Sequence, residues 1–514
     1  MKTCKAFGAG LAFCVVAVAF AAGGEYRIVA DFSGDLPPRR AMRDIPFPCD
    51  LSDGSGIAFD FRVGDPAEFS YFSLHFDCGG KWVSAGFSPR DLLGQTRNEW
   101  RRCEVVRPKD KDKSADWAHV RALRISGWRG GTNRTEMAVR NIVVEPYVPE
   151  TSEVAARRKL AAAERNREAL ARLAATPASK GERRLAWAHN PRGIKGKSWD
   201  EAIQVMKKGG FTDLLANMTR GGRAAYRSKM LAFADAADGM DQLEACKAAC
   251  RKHGVKLHVW NCCWRTGWGT TDEEIAQLAS EGRLQVSDSG EVNKGWMCPS
   301  HPANRKLLVD TMLELAQEKD VDGVHFDYIR YPDGRYCYCA GCKARFEAEI
   351  GKTVTNWPKD VCGRGPLAKE WLAFRREAIT SPVREVAEKL HGSGSRVEVS
   401  AAVFRDPLSD LDWVGQDWAS WCEKGYLDFA CPMTYENTLD AFIVKQQKRI
   451  GHVTPKVPRY PGIGLSVWPK DGMDAARFAE QVTYLRDAGI NGFVVFELSK
   501  RFAKLMDELG DALH

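Results

Sequence analysis

The 514 residues exceed what one hydrophobic core usually serves, so two folded domains plus an export segment are expected. The formal charge of +8 is modest for this length, and the basic residues are scattered apart from Arg157 to Lys159 and the stretch from Arg165 to Arg172, which argues against a nucleic-acid partner. Beyond the N-terminus no apolar run approaches the ~20 residues of a membrane span, so no integral membrane segment is expected; without a Gly-rich phosphate loop or dinucleotide fingerprint, no cofactor is expected either.

Residues 1–21 have the form of a signal peptide. Lys2 and Lys5 precede an apolar run from Phe7 to Phe20, and Ala19-Phe20-Ala21 has the small-x-small pattern of a cleavage site. The mature chain then begins near Ala22 and is secreted or periplasmic. Phe13 before Cys14 is too bulky for lipoprotein processing. Of the sixteen cysteines, those beyond the signal can form disulfides in an oxidising compartment, or serve as small buried hydrophobes, as Cys246, Cys250 and Cys431 suggest.

Residues 25–149 alternate apolar and polar positions over short runs: Ile57, Phe59, Phe61 and Val63, then Phe72, Leu74 and Phe76, then Ile142 and Val144. Gly79-Gly80 and Gly130-Gly131 supply turns, and the pattern predicts an antiparallel β-sandwich. Through Asn98-Glu99-Trp100-Arg101-Arg102 and the segment from Val120 to Trp128, this part resembles the jelly-roll carbohydrate-binding modules attached to many glycoside hydrolases. Trp82, Trp100, Trp117 and Trp128 have flat faces suited to sugar rings, although filling the sandwich core is the expectation for most of them.

Residues 150–182 read as a helical linker, rich in Ala, Arg, Glu and Leu up to a Pro-Ala-Ser-Lys-Gly-Glu break. From residue 183 to 514 apolar strands alternate with amphipathic helices. Eight strands are predicted, at 185–188, 212–217, 256–261, 323–327, 397–404, 427–435, 458–465 and 492–497, with helices such as 241–253 and 305–317 between them. Eight such units close a (β/α)8 barrel, whose active site lies at the C-terminal strand ends.

Those ends are rich in polar groups. Alternation puts His325 and Asp327 on one side of the fourth strand, with Asp327 at the mouth. The sixth ends at Tyr435 and Glu436. Hydrolysis of a glycosidic bond needs one group to protonate the leaving oxygen and another to attack the anomeric carbon or activate water, so Asp327 and Glu436 are the predicted catalytic pair, with Asp406 and Glu497 as chemically equivalent competitors. Arg220 and Arg223 after the second strand, Asn261, Trp264 and Trp268 after the third, and Trp187, His189 and Asn190 at the first form the expected sugar-binding rim, whereas Trp260 reads as core.

These strand ends together resemble the glycosyl-hydrolase-like family 10 barrels. The resemblance is carried by Ala225-Tyr226-Arg227-Ser228, His253 to Asn261, the segment Asp322-Gly323-Val324-His325-Phe326-Asp327-Tyr328-Ile329-Arg330-Tyr331-Pro332, Tyr426 to Tyr435 and Gly489-Ile490-Asn491-Gly492. It implies a glycoside hydrolase acting on a bacterial or environmental polysaccharide, with the family's strand-four His and Asp at His325 and Asp327. Tyr328-Ile329-Arg330 and Glu436 depart from the family's usual residues.

Cys337, Cys339 and Cys342 follow, in a spacing that suits three zinc ligands with Cys298 as a fourth, but disulfides or reduced thiols are the simpler expectation; no metal is assigned to the catalytic site. Two other functions fit the sequence: a glycan-binding protein without catalysis, and a metal-dependent enzyme built on His189, His325 and Asp327.

Overall fold

The structure, a computed structural model, describes residues 24–33, 38, 40–85, 97–108, 114–146, 152–220, 222–234, 239–267, 270–448, 456–465 and 473–514. The predicted signal peptide and its cleavage site, Gly221 and Trp268 lie outside these residues. The chain divides into two compact units, residues 1–32 with 38–149, and 33–37 with 150–514.

The first unit is an antiparallel β-sandwich. One sheet has the order β1 (Tyr26–Asp31), β8 (Arg134–Glu145), β3 (Gly56–Val63), β6 (Arg101–Val105); the other has β2 (Arg40–Cys49), β7 (Val120–Arg129), β4 (Phe69–Cys78), β5 (Lys81–Ala85). Period-2 alternation turns Phe72, Leu74 and Phe76 of β4 inward, and Phe72 meets Phe61 of β3 with ring centroids 5.1 Å apart. The expectation that most of the tryptophans fill this core is not met. Trp117 alone of the four is buried, against Phe76; Trp82, Trp100 and Trp128 stay half-buried under the guanidinium groups of Arg124, Arg140 and Arg40 at 4.1, 4.0 and 5.0 Å. Arginine stacking covers their faces, so they need no place in the core.

The second unit is a (β/α)8 barrel. Its strands are β9 (Arg183–Ala188), β10 (Asp213–Arg220), β11 (Arg223–Ala224), β12 (Ala232–Phe233), β13 (Lys256–Cys262), β14 (Leu284–Val286), β15 (Val292–Met297), β16 (Gly323–Asp327), β17 (Glu398–Val403), β18 (Phe429–Pro432), β19 (Gly462–Gly464) and β20 (Gly492–Phe496). Eight of them run parallel in the order β18-β17-β16-β13-β10-β9-β20-β19 and coincide with the eight predicted strands. The ring closes where Ala430 N donates to Pro458 O at 3.0 Å and Tyr460 N donates to Ala430 O at 2.9 Å. The short pair β11–β12 extends β10, and β14–β15 form an antiparallel hairpin between the third and fourth barrel strands.

The helices are α1 (Ser152–Ala175), α2 (Trp199–Lys208), α3 (Gln242–His253), α4 (Asp272–Ser280), α5 (Pro302–Glu318), α6 (Ala340–Ile350), α7 (Ala368–Gly392), α8 (Ser409–Val414), α9 (Trp418–Glu423), α10 (Leu439–Lys448), α11 (Ala475–Asp487) and α12 (Lys500–Leu509). Helix α1 is not a solvated spacer along its whole length. Ala169 and Leu173 are buried in the barrel's outer core, and Arg165 pairs with Glu480 of α11 at 2.6 Å. Leu170 and Leu173, spaced three apart, are the sequence signal for that packed stripe.

Inside the barrel, Leu185, Trp187, Leu215, Trp260, Cys262, Phe429, Cys431 and Val494 form a closed apolar layer. Below it, Arg183, Asp213, His258 and Glu398 join four strands at the N-terminal end. Gly323 is required beside them, because a side chain there would collide with the His258 ring.

Candidate active site

Strand β16 delivers Asp327 to the C-terminal mouth. Its carboxylate is buried and accepts the backbone N–H of Tyr328 at 2.6 Å, and Arg330 stands 3.4 Å away. Tyr328 has a left-handed backbone, φ 52°, which folds its N–H back onto the side chain just before it. Burial pushes the Asp327 carboxyl above the usual carboxylate range, against the opposing pull of Arg330, the Tyr328 N–H and the Trp260 indole. Arg330 is itself held between Tyr328 and Phe404, at 4.5 and 4.4 Å from the ring centres.

A second carboxylate stands at the end of β20, diametrically opposite β16 in the eight-strand ring. Burial raises the proton affinity of Glu497, and the backbone N–H of His189 offsets this only in part. The His189 side chain faces it, with Nδ1 4.0 Å from Oε2. A guanidinium can only donate, so the 2.8 Å contact from Arg220 makes His189 Nε2 the acceptor and leaves the ring proton on Nδ1, towards Glu497. Burial and then Arg220 lower the His189 pKa, keeping the ring neutral. Trp260, Tyr435 and Phe496 ring the same mouth; His189 lies 5.7 Å from Trp260, and Tyr435 5.5 Å from Phe496, between ring centres.

Arg220 reaches this cluster through a β-bulge. The register of β10 on β13 slips between Asn217 and Thr219, which re-aims Arg220 inward, beside the buried amide of Asn217. Several other predicted residues are directed elsewhere. His325 lies in the barrel interior rather than at the rim: Trp187 Nε1 donates to its Nε2 at 3.0 Å and its Nδ1 meets Ser400 Oγ at 2.8 Å. Both ring nitrogens are thereby engaged, which leaves none for a metal and removes the basis of a His189, His325 and Asp327 centre. Trp187 and Trp264 are buried, Asn261 points outward to Met312 of α5, and Arg223 pairs with Glu274 of α4 at 2.6 Å. Asp406 is buried in its own turn, accepting from Leu408 N at 3.2 Å while its N–H donates to Asp410. Glu436 turns to α10 and pairs with the buried Lys445 at 2.5 Å; burial lowers that lysine to about 8 despite the pairing. A cleft of 860 Å³ in the outer helix layer, lined by Lys195, Lys197 and Lys252, includes none of these strand-end carboxylates.

The sequence model of the glycosyl hydrolase-like 10 family matches residues 196–459, just over half of the chain. The protein belongs to this family. An S-layer-related protein of Niallia circulans is 27% identical to the family 10 chain over 269 residues, covering 42% of this chain and 16% of the relative's own length. Among solved structures, the catalytic domain of the β-amylase from Paenibacillus polymyxa aligns over 65% of this chain and 99% of its own, with 11% identity and a TM-score of 0.46. The PgaB (BpsB) glycoside hydrolase domain of Bordetella bronchiseptica aligns over 66% and 99%, with 14% identity and a TM-score of 0.46.

In this family 10 barrel the mouth also contains residues that sequence reasoning did not single out. Arg330 was visible only as a departure at strand four, yet it stands 3.4 Å from Asp327; Trp260 is buried, in keeping with its reading as core, and in addition borders both Asp327 and His189. Strand parity was the available signal for Trp260, which shares the inward side of β13 with Cys262.

Proposed function

We propose that the protein hydrolyses glycosidic bonds in a bacterial or environmental polysaccharide, with Asp327 as nucleophile or water-activating base and Glu497 as proton donor. The observation that carries this reading is a pair of desolvated carboxyls of raised proton affinity on opposite strand ends, with aromatic rings between them. The environments divide the roles. Asp327 has Arg330 and the Tyr328 N–H to stabilise its anion, whereas the side chain facing Glu497 is a neutral histidine, which suits Glu497 to the proton-donor role. Glu497 passes that proton to the leaving glycosidic oxygen as the C–O bond breaks. Asp327 attacks the anomeric carbon, or takes a proton from the water that does so, and one water is added across the bond overall.

Glu436 is the less suitable donor, because its carboxylate is turned to α10 and occupied by the buried Lys445. His189 and Arg220 orient Glu497 and offer donors to sugar hydroxyls, and the half-buried Tyr435 and Phe496 supply apolar faces. Action outside the cytoplasm agrees with the sequence of residues 1–21 and with the S-layer-related name of the Niallia relative.

Product analysis of the full chain on a panel of bacterial, plant and algal glycans tests the reading, with Asp327→Asn, Glu497→Gln and Glu436→Gln alongside. Loss of product with the first two and retention with the third is expected. Equal turnover by wild type and Asp327→Asn removes Asp327 from the mechanism, and glycan binding without turnover by any form replaces hydrolysis with recognition.

A further inference from the structure

We propose that Cys298, Cys337, Cys339 and Cys342 bind one zinc ion in a closed tetrahedral site that fastens the loop after strand β16. The four sulfurs come from three places: Cys298 just after the β14–β15 hairpin, Cys337 in the loop, and Cys339 with Cys342 at the start of α6. All four are buried, and their sulfur atoms lie within 4.8 Å of one another. Cys298 Sγ is 3.5 Å from Cys342 Sγ and 3.9 Å from Cys339 Sγ. A tetrahedron with zinc–sulfur bonds of about 2.3 Å has edges of about 3.8 Å. A disulfide requires about 2.05 Å, and no described cysteine is paired in that way. Thiols that merely fill space, such as Cys431 in the barrel interior, do not converge on a common centre as these do.

The surroundings suit thiolates. Cys339 is the N-cap of α6, where the Cys342 N–H reaches its sulfur at 3.3 Å, and the Val286 N–H points at Cys337 Sγ at 3.4 Å. Ser300 Oγ lies 3.1 Å from Cys342 Sγ, and the Arg345 guanidinium approaches Cys298 Sγ at 3.9 Å. Zinc with four thiolates carries a net double negative charge, which these donors offset. Four protein ligands leave no open position, so the site is structural. Ferrous iron fits the same sulfurs, but it stands below zinc in divalent affinity.

The centre bears on the mouth. Two residues before Cys298, Trp296 packs on Tyr328 with ring centroids 5.5 Å apart, and the Tyr328 N–H is the one bonded to Asp327. The metal would therefore act as a clasp that keeps the hairpin against the catalytic loop, whatever the substrate.

The full chain, produced in zinc-supplemented medium and purified without chelator, is expected to contain one zinc per chain by elemental analysis. Cobalt exchange should give the ligand-field bands of a tetrahedral tetrathiolate. Cys342→Ser should lose the metal, whereas Cys246→Ser, outside the cluster, should retain it. If Cys342→Ser does not fold, titration of the wild-type protein with an organomercurial decides instead, with zinc release expected to follow modification of four thiols. A metal-free wild-type protein, bound iron in place of zinc, or an intact mass reduced by the hydrogens lost to a disulfide among these cysteines overturns the proposal.

Discussion

The two ends of the barrel treat buried carboxylates in opposite ways. At the N-terminal end, Arg183 pairs with both Asp213 and Glu398, the latter at 2.8 Å, and His258 lies 3.1 Å from Asp213. Burial pushes the Asp213 carboxyl up, but hydrogen bonds from His258 and Arg183 outweigh it and hold the group well below the usual range. At the C-terminal end, burial prevails at Asp327 and Glu497, and both are raised. The floor is satisfied and serves cohesion, whereas the mouth keeps its carboxyls short of compensation, which is what a proton donor requires.

The largest expected effects follow from removing the mouth carboxyls. Asp327→Asn and Glu497→Gln should each lower kcat/KM by ~10²–10⁴, the range of a lost acid or base. Glu497→Gln should leave the melting temperature unchanged or raise it, because a poorly compensated group is made neutral. A fall in melting temperature as large as that of a floor variant would end the distinction between the two ends.

The floor should behave in the reverse manner. Asp213→Asn leaves Arg183 and His258 facing a neutral amide in a buried setting and should cost about 3–5 kcal/mol in chemical denaturation. Its kcat/KM should stay within about threefold of wild type, since the apolar layer separates floor from mouth.

Acid sharpens the same contrast. Asp213 and Glu398 have depressed folded pKa values, so the unfolded chain binds their protons first. Their stabilisation is complete above the unfolded carboxylate values of roughly 4 and is lost as pH falls through the folded ones. Asp327 and Glu497, being raised, contribute with the opposite sign. Wild type should lose stability on acidification, and Asp213→Asn should flatten that slope. In the rate profile, the alkaline limb of kcat/KM should lie above the ordinary glutamate range, and Glu436→Gln should leave it in place. A limb that shifts with Glu436→Gln would transfer the donor role to Glu436.

Much of this was legible in the chain, and the exceptions have physical causes. All eight barrel strands and the inward phase of Asp327 follow from local pattern, because a strand's period depends only on neighbouring residues. Arg220 shows the limit, because a bulge resets the parity of β10 and sequence spacing does not reveal it; on regular β13, by contrast, the alternation that turns Trp260 and Cys262 inward already sets Asn261 outward, towards α5. Glu436 and Glu497 are chemically alike in sequence. They differ through Lys445 on α10 and through burial, which only the folded chain supplies. The cysteine spacing was visible, but the convergence of Cys298 from the hairpin required the fold.

The smallest expected effect lies midway between the two ends. His325 accepts from Trp187 and meets Ser400 with its other nitrogen, and burial, followed by the field of His258, keeps it well below the usual histidine pKa. Ser400→Ala removes one partner without touching any charge. The stranded N–H should cost about 1–3 kcal/mol, the penalty for a buried unsatisfied donor. Because the ring stays neutral, the loss should be flat between pH 5 and 8, about where an unpaired histidine of ordinary pKa would titrate. A stability loss that grows as pH falls would mean that His325 takes up a proton, and the neutral layer separating floor from mouth would then carry charge.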